Sequence, residues 1–326
     1  MARRKKLTGT DADLNLASLS PLFVDEGKAR EFLEAKRWPN GPTCPHCGSD
    51  KVYALTPKST SKKPVRPGVY KCGACRKQFT VRIGTIFEES KIPLCKWLMA
   101  IHLMTSSKKG ISSHQIAREV GITQKSGWFL CHRIREAMRQ EPMAGLLKGT
   151  VEADETYVGP RKPRISGTSK PGRGTSKKPV MVLVERDGNA RSMPIENVKG
   201  ATLKDEVRKN VDRSARIMTD DWKPYRGLRH EFASHEFVRH SSGEYARPAD
   251  DGVSVNTNTA ESFFALLKRG HYGIFHWFSR KHTHRYCDEF GFRWDRRNVS
   301  DGERMVDAIK GGEGKRLMYR EPVNAA

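Results

Sequence analysis

Apolar residues recur at helical spacing over residues 22–38, LFVDEGKAREFLEAKRW, with Phe23, Ala29, Phe32, Leu33 and Trp38 as its apolar positions. Asp25 stands where an N-cap side chain would accept the first free amides, and WPNGP ends the helix. The short segments KVYAL (51–55) and QFTVRIGT (78–85) predict strands, and the Lys-, Ser- and Pro-rich stretch 57–67 between them suits a hairpin tip. Residues 92–140 return to helical character. Within them, SSHQIAREVGITQKSGWFLCHRIREAM reads as helix, turn, helix, with Gly121 at the tight turn, Ser112 or Ser113 capping the first helix and Thr123 the second. From residue 149 the pattern changes to strands alternating with helices: TVEADETYVG (150–159), PVMVLVER (179–186), ARSMPIE (190–196) and ARIMTD (215–220) as strands. DGN between the second and third is a hairpin signal, and 202–211 (Thr202 as cap), 259–269 and 280–296 are helical.

Length sets the scale: 326 residues exceed one ordinary domain of roughly 100–200 and predict about two, with small modules added. Runs of 18 or more apolar residues are absent, which argues against a membrane helix. The opening MARRKKLTG is basic without an apolar stretch behind it, unlike a secretory signal, so a cytoplasmic location is expected. Charge changes the picture most. Sixty Lys and Arg against 37 Asp and Glu give a net charge of +23, which points to a polyanionic partner, nucleic acid before any other. The segment GPRKPRISGTSKPGRGTSKKP (159–179) carries seven basic residues and no acid, and is expected to be a disordered loop that can lie along a phosphate backbone. Arg161, Lys162 and Arg164 in that loop, Gln124, Lys125 and Ser126 at the start of the second helix, and Arg269 are the candidate DNA contacts.

Four of the seven cysteines form two CxxC pairs, Cys44 with Cys47 and Cys72 with Cys75. Two such pairs make a tetrahedral all-sulfur site suited to a structural Zn²⁺, with Gly48 and Gly73 in the knuckle turns. Cys95, Cys131 and Cys287 are isolated and read as small buried hydrophobes.

Carboxylates in this basic chain need a reason. On a strand, Glu152 and Asp154 share a face and Glu155 takes the other. Asp220 ends a second strand beside Asp221. In NTNTAESFFALLKRG (256–270), Glu261 opens an apolar helix, and Lys268 follows two helical turns later on nearly the same face. Asn258 and Glu261 also have capping-box spacing, so Glu261 could serve the helix end instead. Asp154, Asp220 and Glu261 together would hold two Mg²⁺ ions, hard cations that suit carboxylate oxygens and phosphoryl transfer.

VEADETYVG, TDDWKPYRGL, NTNTAESFFALLKRG and KHTHRYCDEFGFRWDRR, in that order behind a zinc ribbon, resemble bacterial insertion-sequence transposases of the zinc-ribbon DDE group, over about residues 20–300. The resemblance implies an α/β, RNase H-like mixed-sheet catalytic domain using Mg²⁺ or Mn²⁺. It implies binding of terminal inverted repeats in double-stranded DNA, 3′-end cleavage and joining to target DNA. By motif, Asp154, Asp220 and Glu261 become the three acids, with Asp221 and Asn258 as alternates, and Lys268 meets the DNA end. Synapsis of two ends implies a homo-oligomer. The domains expected are a basic lead and helix (1–39), zinc ribbon (40–90), helix-turn-helix-like DNA-binding region (91–145), catalytic domain (146–300) and C-terminal tail (301–326). Helix 280–296, with His282, Tyr286 and Arg293, reads equally as a core helix or as a support whose basic residues reach DNA. Two other functions use the same residues: a DNA-binding regulator with an inactive C-terminal domain, and an RNase H-like nuclease that does not join ends.

Overall fold

The computed structural model describes residues 10–56, 64–139, 145–159, 177–220, 223–225, 227–239 and 242–319. The chain divides into two compact units, residues 1–138 with 299–326, and residues 139–298.

In the first unit, α1 (Leu16–Val24) starts at Asn15, whose side chain accepts from the amides of Ala17 and Ser18. Asp25 then caps α2 (Glu26–Arg37) by accepting from Gly27 and Lys28, as its position in the sequence suggested. Helix α1 was not expected, because Pro21 within it ordinarily signals a break. Trp38 sets its ring edge-on to Tyr70 and Phe79, at 5.5 and 5.9 Å, where α2 meets a small antiparallel sheet. That sheet consists of β1 (Val52–Ala54), β2 (Tyr70–Cys72) and β3 (Gln78–Phe79), in that order. Strand β3 is shorter than QFTVRIGT suggested, since the chain turns at once, the Ile83 amide donating to Thr80 O. Residues 57–63 of the anticipated hairpin tip lie outside the described residues.

Helix α3 (Leu94–Ser106) buries Trp97, Leu98, Ile101 and Met104. The helix-turn-helix follows as α4 (Ser113–Val120) and α5 (Gln124–Met138). Ser112 is the cap, accepting from the Gln115 amide, and Gly121 turns the chain in the left-handed region at φ 65°. Thr123 Oγ1 accepts from the Ser126 amide at the start of α5. The two helices approach so closely that a Cβ on Gly127 would stand 2.9 Å from Ala117 Cβ.

The second unit is built on a mixed sheet of β4 (Thr150–Val158), β5 (Lys178–Glu185), β6 (Ala190–Pro194), β7 (Arg216–Asp220) and β8 (Ser234–Val238). Among the described residues the strand order is β6-β5-β4-β7-β8, antiparallel across β6-β5-β4 and parallel across β4-β7-β8. This hairpin-then-crossover order is the expected RNase H-like sheet. One face carries Val151, Ala153, Met181, Leu183 and Ile217 against Leu203 and Val207 of α6 (Gly200–Asn210). Thr202 does not cap α6, which begins two residues earlier; its hydroxyl bonds Asn197 Oδ1 at 2.9 Å. After β9 (Arg247–Pro248) and β10 (Ser254–Val255), α7 (Asn258–Gly270) and α8 (Thr283–Asp295) cover the other face through Phe263, Leu267, Cys287 and Phe290.

The expected C-terminal tail contains a helix. Residues 301–310 form α9 (Asp301–Lys310), with a full capping box between Ser300 and Glu303, and belong with the first unit. Its apolar side, Met305, Val306 and Ile309, is buried there, which only a partner from far along the chain could supply. No helix among the described residues is long and apolar enough to cross a membrane.

Candidate active site and metal centre

Two adjacent parallel strands carry the first two carboxylates. Strand β4 pairs with β7 so that Thr150 faces Arg216 and Glu152 faces Met218. The pairing ends there, and Asp154 and Asp220 lie two residues beyond it on the two strands, near enough for the charge of Asp220 to act on Asp154. Asp154 projects to the face covered by α7 and α8, because it is paired on β5 with Val182 of that core. From α7, the charges of Glu261 and Lys268 also reach Asp154. Burial raises the Asp154 carboxyl from its ordinary value to about 7. The Glu155 amide, donating to Asp154 Oδ1 at 2.7 Å, and Lys268 oppose the rise, whereas the charges of Asp220 and Glu261 add to it. A partly buried carboxylate repelled by two others is a place where a cation would relieve the cost, and the all-oxygen donors suit Mg²⁺ or Mn²⁺.

Glu261 is exposed and does not form the capping box its spacing allowed. The free amides at the start of α7 are taken instead by Glu152, which accepts from Thr259 N at 2.7 Å and Ala260 N at 3.0 Å. Asn258, the alternate third ligand, occupies the first turn, its amide donating to Asn256 Oδ1. Asp221 lies outside the described residues.

Glu152 does share Asp154's face, as the alternation required, and is fully buried against Arg186. Glu155 takes the opposite face, where it accepts a hydrogen bond from the buried Tyr225 hydroxyl. Burial and the neighbouring Glu155 push the Tyr225 phenol well above its ordinary range, so it is a neutral donor. Arg186 and Tyr225 were not singled out in the sequence. The signal for Arg186 was a buried carboxylate in want of a counter-charge at the end of the neighbouring strand. Nearby, burial lowers His235 to about 4, and its Nε2 lies 2.9 Å from Thr219 Oγ1.

In the first unit the four cysteines converge. Cys44 Sγ lies 3.7 Å from Cys75 Sγ, Cys47 Sγ 3.6 Å from Cys72 Sγ, and all four sulfurs fall within 4.8 Å of one another. A tetrahedron with Zn–S of about 2.3 Å has edges of about 3.8 Å, so the ligand set fits Zn²⁺. Gly48 makes its knuckle turn at φ 74°, and Gly73 lets its backbone approach Lys51, its amide 2.6 Å from Lys51 O. The Cys75 amide, 3.4 Å from Cys72 Sγ, draws that thiol down, while desolvation and the same cluster of sulfurs push Cys47 up, the pattern of thiols sharing protons that a bound metal would displace. Cys131 and Cys287 are buried as expected, burial pushing Cys287 up to about 12; Cys95 is only half-buried.

Gln124 and Lys125 are exposed at the start of α5, and Ser126 is half-buried in the Thr123 cap. Arg269 is exposed on α7. Arg161, Lys162 and Arg164 lie outside the described residues. Helix α8 serves the core: Arg293 is buried with Glu289 at 2.5 Å, and Tyr286 stacks on Phe278 at 4.0 Å.

Residues 146–295 match the ISXO2-like transposase domain and residues 24–78 the transposase zinc-ribbon domain. The chain is 29% identical over 260 residues to a Halobacterium salinarum protein described as "Uncharacterized protein in transposable element ISH50", covering 76% of this chain and 83% of that protein. Among solved structures, a pre-cleavage Mos1 transpososome is similar at 13% identity and a TM-score of 0.27, covering 62% of this chain and 72% of that one. A Mos1 strand transfer complex is similar at 12% identity and a TM-score of 0.27, covering 68% and 79%.

Proposed function

We propose, from the premise that this chain belongs to the insertion-sequence DDE transposases with an N-terminal zinc ribbon, that it binds the inverted-repeat ends of its element, cleaves their 3′ ends and joins them to target DNA. The observation that supports this reading is a partly buried Asp154 on β4, raised to about 7 first by its burial and further by the charges of Asp220 on β7 and Glu261 on α7.

Asp154, Asp220 and Glu261 would hold Mg²⁺ or Mn²⁺. When bound, such ions activate a water or 3′-hydroxyl and stabilise the leaving oxygen of an in-line displacement. Two of the acids sit on neighbouring parallel strands of a packed sheet, two residues past the last backbone pair, rather than on loops. Lys268 faces the same carboxylates from the exposed side of α7 and can take a phosphate oxygen of the DNA end. Arg269, also exposed, extends that positive edge. Gln124, Lys125 and Ser126 open the second helix of the helix-turn-helix, the position from which base edges are read in a major groove. The net charge of +23 supplies the sequence-independent hold on double-stranded DNA. A homo-oligomer that pairs two ends follows from the reaction.

The test uses labelled duplexes carrying the repeats that flank the coding region, with Mg²⁺ present. Wild-type protein should nick the 3′ ends and join them to a target plasmid, and Asp154→Ala, Asp220→Ala and Glu261→Ala should each abolish both steps. Nicking without joining would favour a nuclease; binding without either would favour a regulator. Cleavage surviving in Asp154→Ala would overturn the assignment of the site. Comparing Glu261→Gln with Asn258→Ala decides the third ligand.

A further inference from the structure

A carboxylate with no contact to solvent sits two residues before Asp154. Glu152 is 0% exposed, and burying a charge without full compensation is costly. Its compensation is complete and directional. Oε2 accepts from Thr259 N at 2.7 Å and from Ala260 N at 3.0 Å; Oε1 accepts from Thr259 Oγ1 at 3.0 Å and from Arg186 Nε at 2.6 Å. Thr259 and Ala260 open α7, whose own cap residue, Thr257, makes no side-chain cap bond. Glu152 is thus the N-cap of α7, supplied by a strand residue 107 positions away from Thr259 in the chain. Arg186, just past β5, completes the joint: its Nη1 donates to Ser254 O at 2.6 Å and its Nη2 to Asn256 O at 3.1 Å, holding the segment that leads into the helix.

We infer that Glu152 and Arg186 are positioning residues that set Glu261 against Asp154. The inference rests on the active site proposed above. The geometry is direct: Asp154 follows Glu152 by two residues on β4, and Glu261 follows Ala260 immediately on α7. The same buried carboxylate therefore grips the backbone next to one acid and stands beside the other. Slippage of α7 along the sheet would move Glu261 away from Asp154 while leaving the apolar contacts of Phe263 and Leu267 able to re-form one neighbour along. Hydrogen bonds forbid the slip that apolar packing tolerates. The charge is needed as well as the shape, because three of the four donors are backbone or hydroxyl groups and the fourth is a guanidinium; an amide in place of the carboxylate must turn an N–H against at least one of them.

The experiment compares full-length wild-type protein with Glu152→Gln and Arg186→Lys. Bound Mn²⁺ is counted by electron paramagnetic resonance without DNA, and 3′-end cleavage is measured on the same preparations. Both variants should weaken Mn²⁺ binding and slow cleavage by about ten- to 100-fold, with DNA-end affinity within about twofold of wild type. Hydrogen exchange at the Thr259 and Ala260 amides should accelerate while that in the middle of α7 does not. Arg186→Lys keeps the positive charge and the fold should Glu152→Gln not fold. A variant with free Thr259 and Ala260 amides that still binds Mn²⁺ and cleaves like wild type would overturn the inference. Wild-type protein whose Mn²⁺ binding is indifferent to Asp154→Asn would overturn the active-site reading itself, a different outcome.

Discussion

Removing zinc should unfold the ribbon and leave the sheet unit folded. The ribbon's strands run only three, three and two residues. The buried Phe87 packs on Trp97 of α3 and the Ile86 amide donates to Gly312 O, while among the ribbon's described residues up to Val81 the buried apolar side chains other than cysteine are Val69, Phe79 and Val81. At about 1.5–3 kcal/mol each they contribute roughly 5–9 kcal/mol. A structural Zn²⁺ contributes about 10–16 kcal/mol at neutral pH, so the metal is the larger source of stability. The sulfur spacings of 3.6 and 3.7 Å show a ligand set already at the size the ion requires. The assay is hydrogen exchange read by mass spectrometry, before and after chelation, with metal release followed by a colorimetric dye at roughly one ion per chain. Protection should collapse at the amides of Cys44, Gly48, Cys72 and Gly73, whose bonds to Ser49, Cys44, Lys77 and Lys51 carbonyls exist only in the folded knuckles. Amides of β4, β5 and β7 should keep theirs. Cys72→Ser should reproduce the pattern without chelator. Ribbon amides that stay protected after the metal is shown to have left would mean that the ribbon's fold rests on apolar packing alone, contrary to this prediction.

Other outcomes follow from particular contacts. Gly127→Val, where even a Cβ would stand 2.9 Å from Ala117 Cβ and 3.0 Å from Ser113 O, should cost about 1–3 kcal/mol and weaken inverted-repeat binding in a gel-shift titration; unchanged binding and denaturation would refute the close packing of α4 on α5. Tyr225→Phe strips the half-buried Glu155 of its phenol donor and should lower stability by about 1–3 kcal/mol in urea denaturation, with an unshifted midpoint counting against the bond. His235 is held near 4 against 6.5 when unfolded, so below 6.5 the unfolded chain binds the extra proton and stability falls as pH drops from 6.5 towards 4. The loss is at most about 3 kcal/mol, and His235→Gln should flatten that part of the pH–stability curve; a curve as steep in the variant would show that other groups cause it.

What could be read in the sequence was what neighbours in sequence decide. Alternation along TVEADETYVG placed Asp154 and Glu152 on one face and Glu155 on the other, and the sheet keeps that arrangement. The CxxC spacings and the Asp25, Ser112 and Gly121 signals are equally local, each set by a few consecutive backbone groups. The missing parts all depend on residues far apart in the chain. Helix α9 is amphipathic and capped, yet what it buries against belongs to the first unit, and nothing in residues 301–310 names that partner. The ambiguity over Glu261 is of the same kind. Capping-box spacing with Asn258 and a role in the acidic site were both open while α7 was considered alone, because a helix N-terminus needs an acceptor and Glu261 was the one in reach. Glu152 removes that need from outside the helix, with bonds of 2.7 and 3.0 Å to its first amides. Glu261 then has no capping work to do, stays exposed, and adds its charge to that of Asp220 at Asp154. The capping role open to one glutamate was therefore taken by another glutamate on a strand, and only the packing of that strand against the helix could disclose it.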